Sequence, residues 1–246
     1  MKKVLGCLRR ADDDFDMIAP GDAILLGISG GKDSLCLLEA MARYRKFSKK
    51  AFTLHAVTLS MGYEPFDVTG IREMCQRLEV PFHYRPTQIG PIIFEERREK
   101  SPCSLCAKMR RGILHDTAKE LGCNKVALGH HRDDAIETLL LSLLYEGRLH
   151  TFQPVTYLSR KEITVIRPLI YAAEKHILGV SRKLNFPVVK NPCPVDGATR
   201  RQDMKELIRH MEKLVPDAPE KMLAALQNMD QYGLWDKSYR LQEDRI

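Results

Sequence analysis

The sequence predicts an α/β fold: a doubly wound, mainly parallel sheet followed by a helical C-terminal extension. Apolar runs alternate with amphipathic segments, the first apolar run is continuous, and no strand pattern follows residue 198. A continuous apolar run is typical of a parallel strand that helices cover on both faces. The 246 residues, 44% of them hydrophobic, suffice for one sizeable core.

Strands and helices are expected to follow one another along the chain. The predicted strands cover residues 23–28, 52–59, 81–85, 125–129 and 163–166. The predicted helices cover residues 35–41, 67–78, 104–121, 133–145, 173–184, 200–214 and 220–229. We expect one domain over residues 1–198, with residues 199–246 as its helical extension. Ligands of such sheets bind at the carboxyl ends of the strands.

Composition narrows the functional classes. The net charge of +7 suits a polyanionic partner, although it names none. No apolar stretch approaches the roughly 18 residues of a membrane span, so no membrane association is expected. The first residues do not form a signal peptide, and seven cysteines then predict reduced thiols or metal ligands in the cytoplasm.

The loop between the first strand and the first helix predicts a phosphate site. Two glycines let the backbone approach a ligand, the helix N-terminus attracts anions, and a lysine adds a full charge. The alternative is a simple turn with Asp33 or Ser34 as the N-cap. The Walker A pattern fails, since Asp33 follows Lys32 and Leu26 stands five before Gly31. The loop instead resembles the pyrophosphate loop of ATP pyrophosphatases, and its residues are Ser29, Gly30, Gly31, Lys32, Asp33 and Ser34.

Three cysteines form the second signal. Cys103 and Cys106 lie three residues apart at a predicted helix start, and Cys193 stands between two prolines. They fit a structural zinc site completed by a histidine, a redox dithiol, or a [4Fe–4S] cluster with one iron left open. The candidate histidines are His83, His130 and His131. The other four cysteines are expected to be small core residues or bystanders, namely Cys7, Cys36, Cys75 and Cys123.

A polar cluster follows the fourth predicted strand. It reads Gly129-His130-His131-Arg132-Asp133-Asp134 and continues to Glu137 and Thr138. A capping box formed by Asp134 and Glu137 would explain part of it. Capping does not explain the two histidines, the arginine and the extra aspartate. Acidic residues beside a triphosphate commonly hold Mg²⁺, and basic ones neutralise developing charge.

Five motifs together resemble the tRNA 2-thiocytidine synthetase family. They are S-G-G-K-D-S, P-C-S-L-C-A-K-M-R-R-G, G-H-H-R-D-D-x-x-E-T, I-R-P-L and P-C-P, and they span residues 23 to about 210. The resemblance implies the PP-loop, Rossmann-like fold of adenine-nucleotide α-hydrolases. It also implies an ATP- and Mg²⁺-dependent transferase that thiolates a cytidine of the tRNA anticodon loop, usually position 32, and that forms homodimers.

The resemblance also assigns site residues. A [4Fe–4S] cluster would be held by Cys103, Cys106 and Cys193. Some relatives carry a further cysteine where this chain has Asp196, which we take as a non-ligand. The catalytic residues would be Lys32, Asp33, Asp133 and Asp134. The nucleotide would contact the loop Ser29–Ser34, His130, and Thr58 and Leu59 at the end of the second strand.

The predicted chemistry begins with transfer of AMP from ATP to the C2 oxygen of cytosine, which sulfur then replaces. The sulfur donor would be sulfide on the open iron or a cysteine desulfurase; in an alternative route, Cys103 or Cys106 carries a persulfide. Basic residues around the cysteines are candidates for tRNA phosphate contacts. They are Arg97, Arg98, Lys100, Lys108, Arg110, Arg111, Arg200 and Arg201.

Two other functions stay open at this point. One is a PP-loop tRNA ligase of the lysidine-synthetase type, which adenylates cytidine and adds an amine. It shares the loop but does not need the three cysteines. The other is a zinc-containing tRNA-binding protein without ATP pyrophosphatase activity.

Overall fold

A six-stranded sheet with the order β3-β2-β1-β4-β6-β5 forms the centre of the protein. The computed structural model describes residues 1–63, 66–97, 102–189 and 200–228. Its strands are β1 (Ala23–Gly27), β2 (Thr53–Leu59), β3 (Phe82–Arg85), β4 (Lys125–Ala127), β5 (Val155–Leu158) and β6 (Ile163–Ile166). Its helices are α1 (Lys2–Phe15), α2 (Lys32–Phe47), α3 (Thr69–Arg77), α4 (Ile89–Pro91), α5 (Pro102–Glu120), α6 (Arg132–Glu146), α7 (Glu174–Lys183), α8 (Arg200–Leu214) and α9 (Ala218–Gln227). A π-helical turn, Ile92–Glu96, continues α4.

All strand pairs except one are parallel, which confirms the predicted doubly wound, mainly parallel sheet. β1 lies between β2 and β4, and β4 pairs with β6. The exception is β5, an edge strand that pairs with β6 in antiparallel orientation and that the sequence analysis missed. Because β1, β4 and β6 run in one direction, the segments that follow them meet at one edge of the sheet.

The continuous apolar run of β1 is buried on both faces, as predicted. Ile24 and Leu26 belong to the larger core cluster, which α1, α2 and α7 also line. Leu25 points the other way and packs with Leu114 of α5 and Val126 of β4. Successive side chains of a strand point to opposite faces, so each face of the sheet has its own helical layer.

An N-terminal helix, α1, was not predicted from the sequence and completes the larger layer. Its Leu8 is fully buried. Its Asp12, only 1% exposed, accepts hydrogen bonds from the Ile18 amide at 2.9 Å, from the Tyr44 hydroxyl at 2.8 Å and from Lys50 Nζ at 3.0 Å. These three donors satisfy a carboxylate that would otherwise be costly to bury.

The C-terminal helices α8 and α9 confirm the predicted helical character of this region. Met204 and Ile208 of α8 pack on Ile136 and Leu140 of α6, while Arg132 Nη1 contacts Glu220 Oε1 of α9 at 2.6 Å. The boundary at residue 198 stays a prediction, and residues 190–199 and 229–246 lie outside the described part. Within that part, no helix combines the length and apolar character needed to cross a membrane.

Candidate active site at the carboxyl edge of the sheet

The loop after β1 is held in a conformation that requires glycine. Gly30 has a φ of 85°, and a Cβ added there would lie 3.2 Å from the Val189 Cβ. The Val189 amide donates to the Gly30 carbonyl at 3.0 Å. The loop is therefore closed from one side by the segment that leads towards Cys193 in the sequence.

Two serine hydroxyls fix the loop internally. Ser34 Oγ donates to the Gly31 carbonyl at 2.9 Å and accepts from the Ser29 amide at 3.2 Å. The N-cap of α2 is Gly31, so the alternative in which Asp33 or Ser34 caps the helix is wrong. With no side-chain cap, the amides of the first turn of α2 are available to an anion.

The segment after β4 lies against this same turn. A Cβ on Gly129 would come within 3.1 Å of the backbone of Asp33 and of the Ser34 nitrogen. Such contacts are closer than side chains normally allow, so glycine permits the approach. It brings the His130–Asp134 cluster beside the loop, as the strand directions predicted.

Lys32 is held between two carboxylates. Its Nζ lies 3.0 Å from Asp33 Oδ2 and 2.8 Å from Glu174 Oε1. Burial alone would lower the pKa of Lys32, but the charges of Asp33 and Glu174 raise it above its ordinary value. The side chain is therefore a fixed cation at the N-terminus of α2.

Glu174, the first residue of α7, is a site residue that the sequence analysis missed. Burial acts to raise its pKa, yet Lys32, Lys205 and His131 together lower it to about 2. Its backbone amide donates to Asp133 Oδ2 at 2.7 Å. The lone glutamate carries no sequence signal, since only the fold brings α7 next to the loop.

His131 lies in the middle of three aspartates and is 2% exposed. Its Nε2 is 3.5 Å from Asp33 Oδ1 and 3.4 Å from Asp134 Oδ2, and its Nδ1 is 3.7 Å from Asp133 Oδ2. Asp33 Oδ1 is buried and has no hydrogen-bond partner among the described residues. An uncompensated carboxylate oxygen of this kind fits a hard cation such as Mg²⁺.

The capping box of α6 differs from the predicted one. His131 Nδ1 accepts from the Asp134 amide at 3.4 Å, and the Asp134 carboxylate accepts from the His131 amide at 2.9 Å. Glu137 takes no part in this capping box. Its carboxylate instead accepts a hydrogen bond from Arg201 Nη1 of α8 at 3.0 Å. Burial raises the pKa of Glu137, although Lys205 and Arg201 act in the opposite direction.

His130 packs against an aromatic ring. Its ring centroid lies 5.0 Å from that of Phe152, with the two ring planes inclined by 37°. Burial, assisted by Arg167 and Arg201 and opposed by Asp134, lowers the pKa of His130 to about 4. The imidazole is therefore neutral at physiological pH.

This shift predicts a pH-dependent stability. Because the unfolded chain takes up a proton near pH 6.5 and folded His130 only near pH 4, the stabilisation is complete above pH 6.5 and is lost as pH falls towards 4. The loss in the free energy of unfolding is about 3 kcal/mol, since one unit of pKa shift corresponds to about 1.4 kcal/mol. Urea unfolding measured from pH 7 to 4 should show that the free energy of unfolding declines less in His130→Asn than in the wild type. The exposed His210→Asn is the control, and an equal decline in all three proteins would contradict the prediction.

The predicted adenine contacts are placed at the end of β2. Thr58 is fully buried and its Oγ1 has no partner within the described ranges, and Leu59 is half-buried. The Ile28 amide donates to the Val57 carbonyl at 2.8 Å, so the strand ends near the loop. The contact of Thr58 and Leu59 with adenine stays a prediction.

Comparison with known proteins shows which family the chain resembles. The family model described as "PP-loop domain" matches residues 8–211. A relative from Geobacter sulfurreducens named tRNA-cytidine(32) 2-sulfurtransferase is 40% identical, over 96% of this chain and 93% of its own length. A relative of the same name from Pelobacter propionicus is 41% identical, over 93% of this chain and 86% of its own. The chain belongs to this PP-loop family. The resemblance inferred from the five motifs is thereby confirmed.

A solved structure shares the fold. The U34-tRNA thiolase of Methanococcus maripaludis, determined with its [4Fe–4S] cluster, superposes with a TM-score of 0.73. The match covers 94% of this chain and 80% of that one at 22% identity. At this identity the likeness concerns the fold, and it confirms the predicted PP-loop architecture.

The cysteine pair lies at the start of α5, on the side of the sheet opposite to the PP-loop helix α2. Cys103 is exposed and Cys106 is half-buried against the apolar cluster around Ile89. Residues three apart on a helix share one face, and a helix N-terminus favours thiolates. Two donors of the right type are thus presented together, which fits a thiolate-bound metal or cluster.

The third predicted cysteine, Cys193, lies outside the described residues, as does Asp196. Within the described part, no three His, Cys, Asp or Glu side chains come together as a metal site. Of the histidines considered for zinc, His83 contacts His55 across a 3.2 Å nitrogen–nitrogen separation. His130 and His131 have the neighbours described above.

The candidate tRNA-binding residues differ in whether their side chains are engaged within the protein or exposed. Arg201 is engaged inside the protein by Glu137, and Arg200 lies 4.5 Å over the Tyr145 ring. Lys108 and Arg111 on α5 have exposed side chains, and Arg110 is partly exposed. Arg98 and Lys100 lie outside the described residues. The α5 residues therefore remain the stronger candidates for phosphate contacts.

Proposed function

We propose that this protein is an ATP-dependent tRNA sulfurtransferase that converts cytidine 32 of the anticodon loop to 2-thiocytidine. The observation that carries the proposal is the meeting, at one sheet edge, of an anion-binding loop, a fixed lysine and a carboxylate cluster. The relatives' names supply the substrate, and the cysteine pair supplies the means of handling sulfur.

The first step activates a poor leaving group. The C2 oxygen of cytosine attacks the α-phosphate of ATP, and pyrophosphate leaves towards the N-terminus of α2. Lys32 offsets the charge that develops on the phosphates, and Glu174 with Asp33 holds its ammonium in place. Asp33 Oδ1, which lacks a partner, is the first choice as a Mg²⁺ ligand, with Asp133 and Asp134 beside it.

In the second step, sulfur attacks C2, the C–O bond breaks and AMP leaves. Cys103 and Cys106 would hold a [4Fe–4S] cluster together with Cys193. When bound, that cluster would supply one open iron site for sulfide. His131 and the three aspartates would form the polar side of the site, next to the adenylated oxygen. The start of α5 would present the two thiolates from the opposite side.

The finer assignments belong to the same proposal. We expect sulfide, delivered free or by a cysteine desulfurase, as the sulfur donor, and a homodimer acting in the cytoplasm. Phosphate contacts from Lys108, Arg110 and Arg111 would make tRNA binding weaken steeply with salt.

The test is anaerobic incubation of the purified protein with tRNA, sulfide and ATP. Mass spectrometry of the nucleosides should detect 2-thiocytidine only when ATP is present, with AMP and pyrophosphate as products. About four irons and four labile sulfides per chain are expected. Pyrophosphate release without sulfur incorporation, with AMP released only after an amine such as lysine is added, would favour the lysidine-type ligase. Bound zinc without labile sulfide or AMP release would favour the tRNA-binding alternative.

A further inference from the structure

Arg167, the residue after β6, is a cation without a carboxylate partner among the residues that the structure describes. Its Nη1 donates to the Gln153 carbonyl at 2.6 Å and lies 3.5 Å from Thr156 Oγ1. Its Nε is buried and has no acceptor in the described part of the chain. Burial, reinforced by the charge of Arg111, lowers the pKa of Arg167 only to about 10, so the group stays ionised at pH 7. A half-buried charge of this kind is costly until an anion compensates it.

A second unpartnered nitrogen lies nearby. The Arg167 Cζ stands 4.9 Å from the centre of the Phe152 ring, and His130 packs against the same ring. The His130 Nδ1 is also buried, with no hydrogen-bond partner among the residues that the structure describes. Buried polar atoms in native proteins nearly always find one, so two such atoms around a single aromatic ring indicate a ligand site.

The location distinguishes this site from the phosphate cradle. Arg167 follows β6 and the PP-loop follows β1, with β4 between them, a separation of about 10 Å at the usual strand spacing. The triphosphate already has Lys32 and the N-terminus of α2. Arg167 shares the Phe152 ring with His130 and lies close enough to Arg111 of the cysteine helix for the two charges to interact.

We propose that Arg167 binds a backbone phosphate of the RNA next to the target nucleotide, with Phe152 as the platform that keeps its guanidinium in position. The inference rests on the proposed function, because it takes RNA as the acceptor. A guanidinium matches phosphate oxygens in a fixed fork. Since the Gln153 carbonyl anchors one nitrogen of Arg167, the remaining N–H groups would serve the phosphate. This guanidinium–phosphate contact would orient the RNA without reading its sequence.

The experiment measures binding of unmodified tRNA by fluorescence anisotropy at several salt concentrations, with ATP affinity measured separately by calorimetry. For Arg167→Gln we expect tRNA affinity to fall about 10-fold or more. The slope of log affinity against log salt should shrink by about 0.7, the value for one single-stranded phosphate contact. ATP affinity should stay within about twofold of wild type, which also reports that the variant is folded.

Two further variants make the result specific. Arg167→Lys keeps a cation and should retain the salt slope while losing part of the affinity, because an ammonium lacks the planar fork with which a guanidinium pairs phosphate oxygens. Arg160→Gln removes an exposed arginine from the turn before β6, at the opposite edge of the sheet, and should match wild type.

Three outcomes would overturn the inference. They are an unchanged salt slope in Arg167→Gln, a slope change in Arg160→Gln or Arg167→Lys as large as that in Arg167→Gln, or a loss of ATP affinity instead of tRNA affinity. The last would assign Arg167 to a nucleotide phosphate. Formation of 2-thiocytidine by the wild type is scored separately. If the wild type formed no 2-thiocytidine, the proposed function would be wrong. If thiolation were intact and the salt slope of Arg167→Gln unchanged, only the role of Arg167 would be wrong.

Discussion

Replacing Cys103 by alanine is expected to abolish the formation of 2-thiocytidine while ATP binding persists. Cys103 is exposed at the first turn of α5, one helical turn from Cys106, so its thiolate is available as a ligand. The part of α5 that packs under the sheet begins near Leu114, about 16 Å further along the helix. The substitution therefore leaves the core and the PP-loop intact. Nucleoside mass spectrometry and calorimetry with ATP measure the two effects.

The same result is expected for Cys106→Ala and Cys193→Ala, with iron and labile sulfide lost in each. Cys36→Ala and Cys75→Ala are the matched controls. Burial raises the pKa of Cys36 and of Cys75 to about 12, so both thiols stay protonated, and both lie fully buried in the core. These controls should lose about 1 kcal/mol of stability and no activity. Full thiolation by any one of the three ligand variants would refute the cluster assignment.

The parallel sheet was predictable because strand and helix patterns alternate and because the central strand β1, buried on both faces, is a continuous apolar run. The edge strand β5 was missed because Val155–Leu158 is short, half exposed and not uniformly apolar. The helix α1 had a signal that was overlooked. Val4, Leu8 and Ala11 repeat at helical spacing and are all fully buried, although the charged residues between them hide the pattern.

The candidate site was predictable as far as its residues are neighbours in sequence. The loop Ser29–Ser34 and the segment His130–Asp134 each carry a local pattern, and the shared strand direction predicted their meeting. Glu174 carried none, because its importance comes from a contact between α7 and α2 that only the folded chain creates. The separate surroundings of His130 and His131, one against Phe152 and the other among aspartates, likewise depend on tertiary packing.

Lys32→Gln is expected to reduce tRNA-dependent AMP formation about 100- to 1000-fold, the usual effect of removing one charged group that stabilises a transition state. The side chain is positioned at 2.8 Å from Glu174 Oε1, at the N-terminus of α2. Loss of folding cannot explain such an effect. Glu174 would still have Lys205 Nζ at 3.3 Å, so the free energy of unfolding should fall by only about 1 kcal/mol.

The role of Glu174 can be separated from that of Lys32 by combining the two changes. Glu174→Gln alone should reduce AMP formation about 10-fold, because Lys32 remains charged but is less well positioned. The double variant should be no slower than Lys32→Gln, since a positioning residue has no effect once its partner is absent. Lys46→Gln, an exposed lysine in the last turn of the same helix, is the control for charge loss. If Lys32→Gln and Lys46→Gln formed AMP equally fast, the Ser29–Ser34 loop would be a structural turn and not a phosphate site.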